Sequence, residues 1–204
     1  MSNFTHKHYE ETLIKFLDSD YKITNMDSVV EGKQLILSHD VDIDVSLVKS
    51  IAKIESDLKV PSTYFFRMGA KNYNLFSKYT LKILQDIKEM GHDIGFHYEL
   101  PGSSEEFEEN HIQQTFDFFE KYSGMRFKYF NIHEPSRSGL DISKFLSDKN
   151  RSYNSTFFES FKYLSDSSAR WREGCFCEHV GNYEKLLVLT HPFWWFEKSP
   201  TQNY

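Results

Sequence analysis

Acidic and histidine side chains directly follow an apolar run near residue 35. The run 35–37 (Leu-Ile-Leu) leads into His39, Asp40 and Asp42. Because side chains alternate along a strand, Asp40 and Asp42 are predicted on one face and His39 on the other. Two carboxylates at the end of a buried strand repel each other, so the pair is easiest to maintain when one binds a cation and the other acts as a base. The alternative, a cap for the next helix, suits Asp44.

Three further strand-like runs end in side chains that can bind a metal or carry a proton: His97 with Glu99, His133, and His191. The carboxyl ends of parallel strands are where α/β barrels and open α/β sheets collect their functional groups. One histidine at a strand end would carry little weight. Four such ends predict a shared site.

Strands and helices are predicted to alternate along the chain. Apolar runs indicate strands at 35–42, 62–67, 93–99, 126–132 and 186–190, with a strand-like stretch at 153–158. Helical spacing of apolar residues indicates helices at 9–17, 48–58, 75–90, around 107–119 and at 141–147. A capping box at 103–106 precedes the fourth of them. Six residues are expected to be buried in strands: Leu35, Leu37, Phe65, Ile94, Val188 and Leu189.

Composition narrows the class of protein. The chain has 204 residues, a net charge of -6, and neither a signal-peptide pattern nor a stretch of transmembrane length. We expect one domain over 1–204, a cytoplasmic location, and no nucleic-acid or membrane-surface partner. Cys175 and Cys177 are too close for an easy disulfide and lack zinc-knuckle spacing. His6 and His8 are predicted to be solvated.

Several of these segments resemble a known family. Residues 38–42 (Ser-His-Asp-Val-Asp), 91–97 (Gly-His-Asp-Ile-Gly-Phe-His) and 189–192 (Leu-Thr-His-Pro) resemble the first, second and last motifs of the polysaccharide deacetylase superfamily (NodB homology, carbohydrate esterase family 4, CE4). The likeness is greatest to a bacterial His-Asp-Val-Asp branch linked to surface-polysaccharide or lipopolysaccharide biosynthesis. Segments 62–66, 132–133 and 171–173 also resemble landmarks of that branch. The resemblance covers about residues 30–196 and implies a distorted (β/α)7-type barrel.

The resemblance implies metal-assisted hydrolysis of an N-acetyl or related acyl group on a sugar. A divalent cation, usually zinc, polarises the carbonyl and its bound water, while a base and an acid transfer protons. By position, the resemblance assigns these roles: Asp40 as base, His191 as general acid, Asp42 and His97 as metal ligands, and Arg172, with Asp166 nearby, as a group that orients the base or the acid.

The sequence departs from the family pattern in two places. Val41 separates the two aspartates that are usually adjacent. Pro101 stands where a second metal histidine is usual, and proline cannot ligate a metal. The third ligand must therefore come from elsewhere, and the candidates are His133 and Glu99. We favour His133, because it ends its own strand and imidazole suits zinc.

Three functions remain open from the sequence. The first is a metal-dependent deacetylase acting on an acylated sugar, a sugar nucleotide or an oligosaccharide. The second is a non-catalytic sugar-binding or scaffold protein whose cleft is lined by Tyr64, Phe66, Trp194 and Trp195. The third is a metal hydrolase acting on another bond, which ranks lower because two-metal phosphoesterases usually need more acids.

Overall fold

The structure, a computed structural model, describes residues 3–99, 109–134 and 160–198, and only the backbone at 109–112. The predicted capping box at 103–106, the helix at 141–147, the strand at 153–158 and Pro101 lie outside these ranges. No helix in the described ranges is long and apolar enough to cross a lipid bilayer.

In the described ranges, seven parallel strands form one sheet. They are β1 (Lys22–Thr24), β2 (Gln34–Val41), β3 (Thr63–Arg67), β4 (Asp93–Tyr98), β5 (Tyr129–Ile132), β6 (Lys162–Ser165) and β7 (Lys185–Thr190). The order across the sheet is β5-β4-β3-β2-β7-β6, and β1 pairs with the first residues of β2. The sheet curls into a half-barrel, which confirms the predicted α/β class and the distorted barrel.

The α-helices of the described residues cover the outer face of the sheet: α1 (His6–Asp18), α2 (Val48–Asp57), α3 (Lys78–Glu89) and α4 (Glu109–Ser123). Their ends follow local capping. The side chain of Thr5 accepts a hydrogen bond from the backbone N–H of His8, and Ser77 caps Thr80 in the same way. The Ser77 cap explains why α3 begins at Lys78, three residues later than the apolar spacing suggested.

Strand β2 is central because it pairs with β3 on one side and with β7 on the other. All eight of its residues are buried, as an unbroken apolar run predicts for a strand covered on both faces. Of the six residues expected in the core, five are buried and only Leu189 is half-buried. Leu189 is two residues beyond the buried Leu187 on the same face, at the carboxyl end of β7 where the half-barrel opens.

Apolar side chains fill the inside of the half-barrel below the strand ends. The cluster comprises Met26, Ile36, Phe65, Tyr129, Phe161 and Leu187. Gly95 leaves space for it, because a Cβ there would lie 2.5 Å from the Phe65 ring. Alternation along the strands then places Asp40 above Ile36, His97 above Gly95 and Asn131 above Tyr129. The carboxyl ends of the strands therefore bring polar side chains together over a closed apolar floor.

A buried polar network ties the outer face of β2 to α2. Glu55 is fully buried, and one of its carboxylate oxygens accepts from Tyr9 at 2.6 Å and lies 2.8 Å from Nε2 of His39. The other oxygen accepts from Ser62 at 2.7 Å and from Tyr64 at 2.6 Å. Four partners satisfy the carboxylate, which explains why a charge is tolerated here. His39 therefore faces away from Asp40, as the alternation predicts.

Candidate metal centre and active site

Three potential metal ligands meet at the carboxyl ends of β2, β4 and β5. The ligand atoms of Asp42, His97 and His133 all lie within 4.8 Å of one another. Oδ1 of Asp42 is 3.2 Å from Nε2 of His97, and the rings of His97 and His133 are perpendicular with centroids 5.0 Å apart. Glu99, the rival third ligand, is not in this group.

The residues present fit a bound cation. Oδ1 of Asp42 is buried and has no hydrogen-bond partner among the described residues, although Nε2 of His97 is close. Two such atoms bound to one tetrahedral zinc would lie about 3.4 Å apart. The 3.2 Å separation is close to that value. A carboxylate and two imidazoles also form a donor set that zinc accepts.

Asn131 orients His97. Nδ1 of His97 lies 2.6 Å from Oδ1 of Asn131, which can only accept, so Nδ1 carries the proton. Nε2 is then left with its lone pair facing Asp42, as a metal ligand requires. The Asn131 amide nitrogen donates to Oδ1 of Asp40 at 2.8 Å. One side chain therefore links a potential ligand to the predicted base.

Asp40 is buried beside the three ligands. Its second oxygen, Oδ2, lies 3.8 Å from Nε2 of His97. Because Asn131 occupies Oδ1, Oδ2 is the oxygen nearer to the potential metal position. Asp40 is 7% exposed, so its carboxylate is largely shielded from solvent.

Glu99 points to a different partner. Its carboxylate forms an ion pair with Arg67, with Nη2 and Oε1 2.6 Å apart. Arg67 ends β3 and is in register with His97 of β4, so it reaches the chain just beyond that strand. The Glu99 side chain is 41% exposed. The ion pair lowers the pKa of Glu99, an effect that its slight burial opposes only in part.

His191 is held by a buried aspartate. Nδ1 of His191 donates to Oδ1 of Asp166 at 2.7 Å, and the backbone N–H of His191 donates to the same carboxylate. Trp195 donates its indole N–H to Oδ2 of Asp166 at 2.8 Å. These contacts fix the imidazole so that Nε2 faces the site, 3.7 Å from Oδ2 of Asp42.

The charges of the site shift the pKa values of its members. Burial alone would lower the pKa of His191, but Asp166, with Asp40 and Asp42, raises it to about 9. Burial opposes ionisation of Asp42, but the nearby histidines lower its pKa to about 2. Burial likewise opposes protonation of His97, and Asp40 and Asp42 outweigh it and raise its pKa. His191 is thus a proton donor near neutral pH, and Asp42 is an anion.

Arg172 is exposed and lies away from these contacts. It lines a groove with Tyr163 and Ser165 on β6. Within the described ranges, Arg172 forms no ion pair with Asp166, whose carboxylate is engaged by His191 and Trp195. The orienting contact to the predicted acid is therefore made by Asp166.

The sequence did not predict Asn131 as a site residue, and it predicted Trp195 only as a lining residue of a sugar-binding cleft. Asn131 is a polar residue in the apolar strand β5, two positions before His133, and alternation puts both on one face. That signal was available. Trp195 gave no comparable signal, because its contact with Asp166 depends on how the chain turns after His191.

Comparison with family models and with curated proteins finds no match to this sequence. Solved structures do match. A CE4 family pseudoenzyme from Bacillus anthracis aligns with a TM-score of 0.52 and 18% identity, over 79% of this chain and 56% of its own. The peptidoglycan deacetylase PdaC from Bacillus subtilis aligns with a TM-score of 0.52 and 16% identity, over 79% of this chain and 76% of its own.

The chain has the CE4 fold. A mutant CE4 pseudoenzyme with restored enzymatic activity also matches, with a TM-score of 0.52 and 19% identity over 79% of this chain. The alignment spans 57% of that protein, so little more than half of its length has a counterpart here. At these identities the likeness establishes the fold, and it agrees with the resemblance found in the sequence motifs.

Proposed function

We propose that this CE4-fold protein is a metal-dependent hydrolase that removes an N-acetyl or related acyl group from a sugar. The observation that carries the proposal is the convergence of Asp42, His97 and His133 within 4.8 Å, next to a buried carboxylate and a histidine held by an aspartate. Metal ligands, a base and an acid are the groups that amide hydrolysis by water needs.

In this proposal Asp42, His97 and His133 hold the cation. A bound divalent cation supplies a Lewis acid for the acyl carbonyl and lowers the pKa of water. Zinc suits the donor set. Asn131 accepts a hydrogen bond from Nδ1 of His97 and donates one to Asp40. It therefore holds the side chains of both His97 and Asp40 in place.

Asp40 accepts the proton of the attacking water. Its Oδ2 lies on the same side as Nε2 of His97, and its Oδ1 is held by Asn131. The carboxylate therefore meets water from one fixed direction, which lowers the entropic cost of the step. We keep Asp40 as the general base, as its position in the first motif implies.

His191 donates a proton to the leaving amine. Nδ1 is committed to Asp166, so Nε2 is the nitrogen that delivers the proton into the site. The pKa raised to about 9 means that the imidazole is protonated before the reaction begins. Arg172 is not given the orienting role in this scheme, because Asp166 already contacts His191 directly.

The substrate is proposed by class only. An acylated sugar, sugar nucleotide or oligosaccharide agrees with the motifs, and PdaC, which shares the fold, is a peptidoglycan deacetylase. A role in surface-polysaccharide or lipopolysaccharide biosynthesis, the identity of the metal as zinc and a cytoplasmic location stay predictions.

A non-catalytic protein is the second candidate, because CE4-fold pseudoenzymes are among the similar structures. The prediction that four aromatic residues line its sugar-binding cleft is wrong for three of them. Tyr64, Phe66 and Trp195 are fully buried, so they cannot stack on a sugar, and Trp194 alone is half-buried. Their rings pack in the core, where Tyr64 donates a hydrogen bond to Glu55 and Trp195 donates one to Asp166.

The deciding experiment is acetate release from a panel of N-acetylated sugars, sugar nucleotides and oligosaccharides, with zinc-loaded protein. We expect turnover by the wild type and a loss of roughly 100-fold or more in Asp40→Asn and in His191→Ala, within the range that general acids and bases contribute. Asp57→Asn, at an exposed ion pair on α2, is the matched control and should be fully active. No turnover by the wild type on any substrate, with zinc bound at the Asp42 centre, would favour the non-catalytic protein.

A further inference from the structure

A second cluster of metal-binding side chains lies on the outer side of the half-barrel. Nε2 of His8 is 3.3 Å from Sγ of Cys175, and the ligand atoms of His8, Cys175 and Cys177 all lie within 4.8 Å of one another. Both cysteines are free thiols. His8 is half-buried, so the prediction that it is a solvated terminal residue is wrong.

Packing holds the three side chains in place. Phe176, between the two cysteines, is fully buried against Tyr9 of α1, with ring centroids 5.8 Å apart. The His8 ring lies parallel to the Trp195 ring at an angle of 6°, with centroids 6.5 Å apart. Because Phe176 is buried against α1, the backbone that carries Cys175 and Cys177 lies close to His8 of that helix.

The spacing matches that of a metal site. A nitrogen and a sulfur bound to one tetrahedral zinc would lie about 3.5 Å apart, given the usual bond lengths. The observed 3.3 Å between His8 and Cys175 is near this value. Two thiolates and an imidazole are soft and borderline donors, which favour zinc over magnesium or calcium.

We propose that His8, Cys175 and Cys177 bind one zinc ion, at a site separate from the Asp42 centre. Three protein ligands leave the fourth position for water. Each thiol gives up its proton to solvent when the metal binds, so no redox step is involved. The bound ion joins the start of α1 to the segment that precedes β7, 167 residues away in the chain.

Cysteine spacing alone did not predict this site. A Cys-x-Cys pair lacks the spacing of a zinc knuckle, and the third ligand comes from the opposite end of the described chain. Only the fold brings α1 beside the short helix Phe176–His179. The proposal does not depend on the deacetylase function, because it concerns different residues on different elements.

Sulfur gives the site a signature that the Asp42 centre cannot produce. Cobalt(II) bound by thiolates absorbs in the near ultraviolet through thiolate-to-metal charge transfer, whereas oxygen and nitrogen ligands give no such band. The probe is therefore cobalt(II), titrated under a phosphine reductant into His97→Ala protein, in which the first centre is disabled. We expect a charge-transfer band that saturates at one equivalent and is displaced by zinc.

The test compares the cobalt band of His97→Ala protein with that of two double variants. Adding Cys177→Ala to His97→Ala should abolish the band, whereas adding His6→Ala, two residues before His8 on the same helix, should leave it unchanged. Cys177 is half-buried, so its truncation is tolerated better than that of the buried Cys175. Zinc should also raise the unfolding temperature of His97→Ala but not of His97→Ala/Cys177→Ala, as a ligand of the native state does. Absence of the band in His97→Ala, or its persistence in the Cys177 variant, would overturn the proposal.

Discussion

Asp166 controls the proton of His191 through a 2.7 Å hydrogen bond to Nδ1. The carboxylate is fully buried and also accepts from the His191 backbone and from Trp195. The predicted acid therefore has a fixed tautomer and a raised pKa. The family-based assignment gave the orienting role to Arg172 and named Asp166 only as a neighbour in the sequence.

Replacing Asp166 by asparagine should weaken the acid. A neutral amide no longer stabilises the imidazolium, so the pKa of His191 should fall from about 9 toward its ordinary value. Since a general acid must be protonated, activity is lost as pH rises through that pKa. The alkaline limb of the pH profile of kcat/KM should therefore move to lower pH in Asp166→Asn. We also expect at least a 10-fold lower maximum.

The control for this prediction is Arg172→Gln, which removes an exposed charge that makes no ion pair with Asp166 in the described part of the chain. Its alkaline limb should coincide with that of the wild type. A normal limb in Asp166→Asn together with a shifted one in Arg172→Gln would restore the original assignment.

Asn131 is expected to matter for metal affinity more than for folding. Leucine at this position has a similar volume, but it leaves Nδ1 of His97 and Oδ1 of Asp40 without their partner. Loss of such an outer contact typically costs about 10- to 100-fold in metal affinity. Zinc titration calorimetry of Asn131→Leu, with Cys177→Ala included to exclude the second site, measures it. Unchanged affinity would show that Asn131 does not orient the ligand.

Alanine variants separate the rival third ligands. His133→Ala should weaken zinc binding at the Asp42 centre strongly, because it removes one of three donors. Glu99→Ala should leave zinc affinity near that of the wild type, because Glu99 pairs with Arg67. His97→Ala should abolish binding at this centre, and Cys177→Ala is included in every variant to exclude the second site. Equal affinity in His133→Ala and in the wild type, with a loss in Glu99→Ala, would reverse the choice of ligand.

Acid should destabilise the fold through Glu55. Burial opposes its ionisation, but His39, His92 and Tyr64 lower its pKa from 4.5 to about 2. A carboxylate with a depressed pKa contributes stability that is complete above its unfolded value and is lost as pH falls through the folded one. The free energy of unfolding by urea should therefore decline between about pH 4.5 and pH 2.

Glu55→Gln should lower stability at pH 7 by roughly 3 kcal/mol, because it leaves buried donors without a charged acceptor. Its acid dependence between those pH values should also be flatter. Glu11→Gln, in an exposed pair with Lys7, is the control and should retain the wild-type curve. An equally steep decline in Glu55→Gln would assign the acid sensitivity to other groups.

Periodicity predicted the elements that carry strong signals. The structure confirms that the apolar run forms the buried strand β2 and that Asp40 and His39 lie on opposite faces of it. Both features follow from the burial of this strand on its two faces. The strands β1 and β6 escaped prediction. They have three and four residues with mixed exposure, too short for a period to be seen.

Contacts between distant segments could not be predicted from the sequence. The sequence favoured His133 but left Glu99 open, and the register of β3 beside β4 shows that Glu99 pairs with Arg67 instead. His8 was predicted to be a solvated terminal residue, but the packing of α1 places it beside Cys175. In both cases the deciding partner lies more than 30 residues away, where no local pattern reports it.

The most direct test of the metal centre is anomalous X-ray diffraction at the zinc edge from crystals of the zinc-loaded protein. We predict a peak about 2.0–2.2 Å from Oδ1 of Asp42, Nε2 of His97 and a ring nitrogen of His133. Diffraction just below the edge is the control, and there the peak should fall sharply. A zinc-loaded crystal with no peak at these three residues, or with a peak whose ligands exclude His97, would contradict the account.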